Sequence, residues 1–135
     1  MTGIDIPESV QSVLERLIRH GYPCAIAGGA VRDMVSGRGC HDWDIVTRAT
    51  LEQIESLFID SRTTIAGSLF PVCLVGHTEV APARLPAGSP PMPGNCGWIE
   101  TDLAFRDLTI NAMAWDPESE TVIDPFGGRH DLENK

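Results

Sequence analysis

The feature that most constrains this 135-residue chain is a pair of short motifs separated by the length of one small helix. Cys24-Ala25-Ile26-Ala27 is a continuous apolar run, the pattern of a buried strand, and it stops on Gly28-Gly29. Ala30 to about Ser36 then reads as a short helix, Gly37-Arg38-Gly39 as a loop, and Asp42 to Val46 as a second strand running into Thr47. Two adjacent glycines let the backbone approach an anion closely. A helix starting there points free N–H groups and the positive end of its dipole at that anion. Arg32 can add a bidentate contact to phosphate.

On a strand, residues two apart share a face, so Asp42 and Asp44 project together. Like charges that close repel, and a divalent cation relieves the repulsion. Mg²⁺ in particular favours carboxylate and phosphate oxygens. Each motif alone has an ordinary reading. Gly28-Gly29 serves equally well as a tight turn, and a lone Asp-x-Asp is more often a solvated strand end. Taken in this order, they set a phosphate cradle beside a metal pair, the arrangement that in-line nucleotidyl transfer requires.

The rest of the chain reads as one α+β or α/β domain, with a mixed sheet carrying helices on one side. Residues 7–20 form an amphipathic helix with Pro7 in its first turn and Gly21 as its stop. Thr50 is a good N-cap for a helix through Phe58. Thr63–Ile65, Val72–Val75 and Thr78–Ala83 read as strands, the last two joined by a tight turn at Gly76-His77. Residues 85–97 hold four prolines and three glycines, the composition of a surface loop. Glu100 to Ala112 reads as a helix capped by Thr101, followed by a strand pair, Met113–Trp115 and Val122–Ile123.

Within the stretch read as that helix, Arg106, Thr109 and Ile110 lie near one face, and Asn111 offers a hydrogen bond to ribose or triphosphate. Glu79 supplies a third carboxylate, suited to binding the metal or taking the attacking hydroxyl's proton. Whether it faces Asp42 is a matter of tertiary structure.

Composition narrows the partners. Ten Lys and Arg stand against nineteen Asp and Glu, a formal charge of −9, so the chain lacks the basic excess of a protein that grips nucleic acid unaided. Cys24, Cys40, Cys73 and Cys96 form no Cys-x-x-Cys pair and are read as free thiols of a reducing cytoplasm; zinc is not expected. There is no apolar run of membrane-spanning length and no apolar leader, so no membrane partner is expected.

Four motifs now carry a resemblance: Gly28-Gly29-Ala30-Val31-Arg32-Asp33; His41-Asp42-Trp43-Asp44-Ile45-Val46; Arg106-Asp107-Leu108-Thr109-Ile110-Asn111-Ala112; and Ile123-Asp124-Pro125-Phe126-Gly127-Gly128 with Asp131-Leu132. In this order and spacing the chain resembles the head domain of class II tRNA nucleotidyltransferases (CCA-adding enzymes) and bacterial poly(A) polymerases, within the polymerase-β-like nucleotidyltransferase superfamily. The resemblance covers roughly residues 22 to 132. It implies a small mixed sheet flanked by helices. It also implies that Gly28, Gly29 and Arg32 bind ATP or CTP, that Asp42 and Asp44 bind Mg²⁺ (or Mn²⁺ in its place), and that Arg106 contacts the triphosphate. Asp107 and Asn111 would order the third motif. The acceptor would be the 3′-hydroxyl of a tRNA or another RNA.

Three departures stand out. Phe105 occupies the position where the family usually carries a further arginine. The loop is uncharged from Arg84 to Glu100, where the family's is polar and basic. The chain also carries no counterpart of the helical neck, body and tail, so residues 1–135 are expected to be the head of a longer enzyme. The alternatives are a minimal nucleotidyltransferase with another acceptor, or an inactive nucleotide- or partner-binding module of the same fold.

Overall fold

The computed structural model describes residues 6–38, 42–67, 71–84, 97–104 and 108–133. Helix α1 (Glu8–Arg19) buries Val10, Val13, Leu14 and Leu17. Pro7 sits just before it, as the N-cap, and its carbonyl accepts from Val10 and Gln11 N–H. Strand β1 (Cys24–Ala27) leads into α2 (Gly29–Val35), then β2 (Asp44–Thr47) and α3 (Leu51–Leu57). Thr50 caps α3 reciprocally: its hydroxyl accepts from Gln53 N–H at 3.2 Å while its own N–H donates to Gln53 Oε1 at 2.8 Å. Strands β3 (Thr63–Ala66), β4 (Val72–Val75) and β5 (Thr78–Pro82) follow, with Gly76 at φ +63° turning the β4–β5 hairpin. Next come α4 (Trp98–Leu103), a 3-10 turn (Thr109–Asn111), the hairpin β6 (Ala114–Asp116) and β7 (Thr121–Ile123), and α5 (Gly128–Glu133).

The seven strands among the described residues form one sheet in the order β3-β4-β5-β2-β1-β6-β7. The β2–β5 pair is parallel and the other pairs are antiparallel, so the sheet is mixed, as expected. Alternation along the strands sorts two cores. Cys24, Ile26, Ile45, Cys73, Val80 and Trp115 meet α1, α2 and α3 on one face. Ala25, Ala27, Val46 and Ala114 meet Trp98, Ile99 and Leu103 of α4 on the other. Helices therefore cover both faces of the sheet's centre, not one. The cause is visible in β1 and β2. Every residue of β1, and each of Ile45, Val46 and Thr47, is buried, and a strand apolar on both faces needs cover on both. Each fully buried Leu or Ile contributes about 1.5–3 kcal/mol of transfer energy.

The helix expected over 100–112 is not continuous. Helix α4 starts earlier, behind Gly97 at φ +83°, and ends at Leu103. Thr101 is not the cap but lies inside the helix, its hydroxyl donating to Gly97 O at 3.0 Å. Leu108 is extended (φ −119°, ψ 142°), and only the 3-10 turn resumes a helical path. The reason is tertiary. Trp98, Ile99 and Leu103 are held against one face of the sheet, whereas Met113 must reach β1, where its carbonyl accepts the Gly28 N–H at 3.2 Å. One straight helix cannot satisfy both anchors. Residues 85–96 of the Pro/Gly-rich loop and 105–107 of the third motif lie outside the described residues, as do 1–5, 39–41, 68–70 and 134–135.

Candidate active site

The site assembles at one end of the sheet because of strand register. In the antiparallel β1–β2 pair Ala27 is opposite Asp44, so the chain leaves β1 into Gly28-Gly29 where it enters β2. In the parallel β2–β5 pair Asp44 is opposite Glu79. Register partners project to the same face of a sheet, with strands about 4.8 Å apart. Glu79 therefore stands beside Asp44, and burial confirms it, because the next pair, Ile45 and Val80, both enter the α1–α3 core.

Strand β2 begins at Asp44 and not at Asp42, but the alternation continues upstream. Trp43 O accepts the Glu79 N–H at 3.2 Å, and Trp43 is buried in the same core as Ile45. Asp42 and Asp44, flanking Trp43, are thereby turned to the opposite face; Asp42 is exposed and Asp44 half-buried. The pairing of the two aspartates thus follows from the burial of Trp43, which anchors the short segment before the strand.

Gly28 has φ +75° and ψ −141°, a backbone region open in practice to glycine alone. It caps α2: its carbonyl accepts from Val31 N–H at 3.1 Å and from Arg32 N–H at 3.3 Å. Gly29 serves differently. A methyl group placed there would come within 3.3 Å of Arg32 Nη2, so the bare backbone leaves room for the guanidinium folded over the turn. Arg32 Nε donates to Asp33 Oδ1 at 3.2 Å and Nη1 to Asn111 Oδ1 at 3.0 Å. Its side chain keeps 36% of its surface exposed. Asn111 is therefore a partner of Arg32 across the end of the sheet. Arg106 and Asp107 lie outside the described residues.

The fourth motif, whose residues sequence reasoning left without a role, braces this arrangement. Asp124 caps α5, accepting from Gly128 N–H at 2.7 Å and Arg129 N–H at 3.0 Å. The Thr109 hydroxyl donates to Asp131 Oδ2. Gly128 is buried, and a Cβ there would fall 2.2 Å from Thr109 O. Asp124 lies three residues before the position that directly precedes α5, outside the usual capping spacing, so nothing local in the sequence announces this contact.

A strand–glycine turn–helix facing paired carboxylates on the neighbouring strand, with an arginine folded over the turn, defines the class of nucleotidyltransferase catalytic heads. Residues 24–135 match the family described as Poly A polymerase head domain, and the chain belongs to that family. It is 36% identical over 137 residues to a CCA-adding enzyme of Geobacillus kaustophilus, covering 95% of this chain and 33% of that one. It is 44% identical over 122 residues to the multifunctional CCA protein of Herminiimonas arsenicoxydans, covering 82% of this chain and 28% of that one. Poly(A) polymerase I of Salmonella typhi is 32% identical over 146 residues, covering 96% of this chain and 31% of that one. Among solved structures, the Bacillus stearothermophilus CCA-adding enzyme in complex with CTP superposes with a TM-score of 0.71 at 34% identity, over 95% of this chain and 32% of that one. The chain spans about a third of the length of the relatives it matches.

Among the described residues no three His, Cys, Asp or Glu side chains converge into a metal cage. Mg²⁺ does not need one, since it usually binds through one or two carboxylates, water and substrate phosphates. The hard oxygen donors Asp42 and Asp44 on one face fit that chemistry. Among the described residues the thiols do not belong to the site: Cys24 and Cys73 are buried in the α1–α3 core. Among the described residues no helix is long and apolar enough to cross a membrane.

Proposed function

We propose that this chain is the catalytic head of an enzyme that transfers a nucleoside monophosphate from ATP or CTP to the 3′-hydroxyl of a tRNA, releasing pyrophosphate, in the cytoplasm. The observation that carries this reading is the β1–β2–β5 register, which gathers Gly28-Gly29, Asp42, Asp44 and Glu79 at one sheet end with Arg32 over the turn. The relatives named as CCA-adding enzymes, and the neighbour bound to CTP, support the choice of substrate. The −9 charge and the one-third coverage support a division of labour, in which further domains hold the RNA and select the base.

The roles follow from chemistry. The Gly28-Gly29 backbone and the Arg32 guanidinium receive the triphosphate. Arg106 adds a second cation and Asp107 orders the third motif, on the strength of the family resemblance. Asp42 and Asp44 hold Mg²⁺, which when bound lowers the barrier by stabilising the attacking oxygen and the pyrophosphate leaving group. Glu79, the register partner of Asp44, accepts the hydroxyl proton as the 3′-oxygen bonds to the α-phosphorus and the bond to pyrophosphate breaks.

Titration of the chain with ATP and CTP, with and without Mg²⁺, tests the site. Binding is expected to require the ion and to weaken by at least about tenfold, ~1.4 kcal/mol, in Asp42→Asn/Asp44→Asn. Metal-independent binding that survives the double substitution would favour an inactive nucleotide-binding module and sink the metal assignment. Incubation with Mg²⁺, labelled triphosphate and tRNA lacking its 3′ end then asks whether the head turns over alone.

A further inference from the structure

The fourth motif runs from the end of β7 into α5, and the contacts of Gly128 and Asp131 with Thr109 lead back to Arg32. Gly128, at the start of α5, packs against Thr109 so closely that a single added carbon would meet the Thr109 carbonyl oxygen at 2.2 Å and its carbon at 3.0 Å. That same oxygen accepts the Ala112 N–H at 3.0 Å, the bond that closes the 3-10 turn around Asn111. Asp124 holds Gly128 in place through the N–H groups of Gly128 and Arg129, and Asp131 holds the Thr109 hydroxyl. The turn in turn presents Asn111 Oδ1 to Arg32 Nη1 at 3.0 Å. The device is needed because three residues of 3-10 helix are weak by themselves, with strained hydrogen bonds and no α-helical continuation. An arginine side chain free to sample its rotamers would also lose conformational entropy on every binding event.

We propose that Gly128, fixed by Asp124 and Asp131, is a positioning residue for the nucleotide: it locks the Thr109–Asn111 turn so that Asn111 holds the Arg32 guanidinium ready for the triphosphate. This rests on the reading of Arg32 given above. Gly128 touches neither substrate nor metal; it acts through Thr109, Asn111 and Arg32 in sequence.

The test has two readouts, so that the brace and the role of Arg32 are judged separately. The first is the Arg32 Nε–Hε resonance of the ligand-free chain, assigned by its loss in Arg32→Lys. The second is the dissociation constant for Mg²⁺·ATP by calorimetry. Gly128→Ala is expected to shift and broaden the Arg32 resonance and to weaken ATP by about tenfold, the scale of one hydrogen bond to a charged group. Combined with Arg32→Lys it should add little, because both act through one guanidinium. If Gly128→Ala does not fold, Thr109→Val and Asp131→Ala cut the same brace at the surface, and Asp131→Asn, which still offers an acceptor to Thr109, should restore both readouts.

A folded brace variant whose Arg32 resonance is unmoved overturns the proposal. So do losses of affinity that multiply in the double variant. A shifted resonance with ATP affinity unchanged both there and in Arg32→Lys overturns the triphosphate role of Arg32, and the positioning role with it.

Discussion

Gly28 and Gly29 are neighbours of identical chemistry, and the structure assigns them opposite sensitivities to one added methyl group. Gly28 sits at φ +75°, ψ −141°. An L-residue held there costs about 1–3 kcal/mol. The chain cannot relax cheaply, since Gly28 N–H is bound to Met113 O and Gly28 O anchors the first turn of α2. At roughly 2 cal/mol/K per residue, 135 residues lose about 0.28 kcal/mol of stability per degree near the midpoint, so Gly28→Ala should lower Tm by roughly 4–10 °C.

Gly29 has no positive φ, and its added carbon meets only the far end of a flexible side chain, Arg32 Nη2 at 3.3 Å. The guanidinium can swing away at little cost to the fold. Gly29→Ala should therefore leave Tm within about 2 °C, since a helical Ala offsets any small strain, while weakening Mg²⁺·ATP binding severalfold. Differential scanning calorimetry of the two variants, paired with titration calorimetry, separates the effects. A Tm loss in Gly29→Ala equal to that in Gly28→Ala would refute the reasoning, because steric crowding at the turn, not backbone conformation, would then be in control.

Two further predictions concern stability. Burial first, then the negative charges of Glu118 and Asp116, push the Cys24 thiol from 9.0 up to about 12. Its folded value lies above its unfolded one, so its contribution is complete below pH 9 and is lost as pH rises towards 12, by up to about 1.4 kcal/mol per unit. Urea unfolding of Cys24→Ala should show a shallower decline than the parent between about pH 9 and 11; identical slopes would show that Cys24 ionises as freely folded as unfolded. Thr50→Ala removes one half of the α3 capping box and should cost about 1 kcal/mol, a Tm drop of roughly 3–4 °C by thermal melt, with ATP affinity unchanged.

Much of the secondary structure was legible because it is local. The apolar stripe of α1, the Thr50 cap, the Gly76 turn and the unbroken apolar run of β1 each declare themselves within a few residues, where periodicity and backbone preference operate. The pairing of Asp42 with Asp44 was legible for the same reason, although it is Trp43, buried ahead of the strand, that enforces it. The parts that escaped are the non-local ones. The stretch 100–112 has helical character throughout, but α4, packed on the sheet, ends at Leu103, and Leu108 is extended before the 3-10 turn. Helix α4 covers the second face of the sheet, which composition could demand but not allocate. Glu79 could be named from its residue type; only the parallel register with β2 set it beside Asp44. Asn111 read as a ligand to nucleotide, and its bond to Arg32 spans 79 positions of chain. Gly128 read as part of a motif without a task until packing brought it against Thr109. The sequence determined which residues could do the chemistry, since acidity, charge and backbone freedom belong to single residues. The tertiary structure decided which of them meet, since register and packing are properties of the whole sheet.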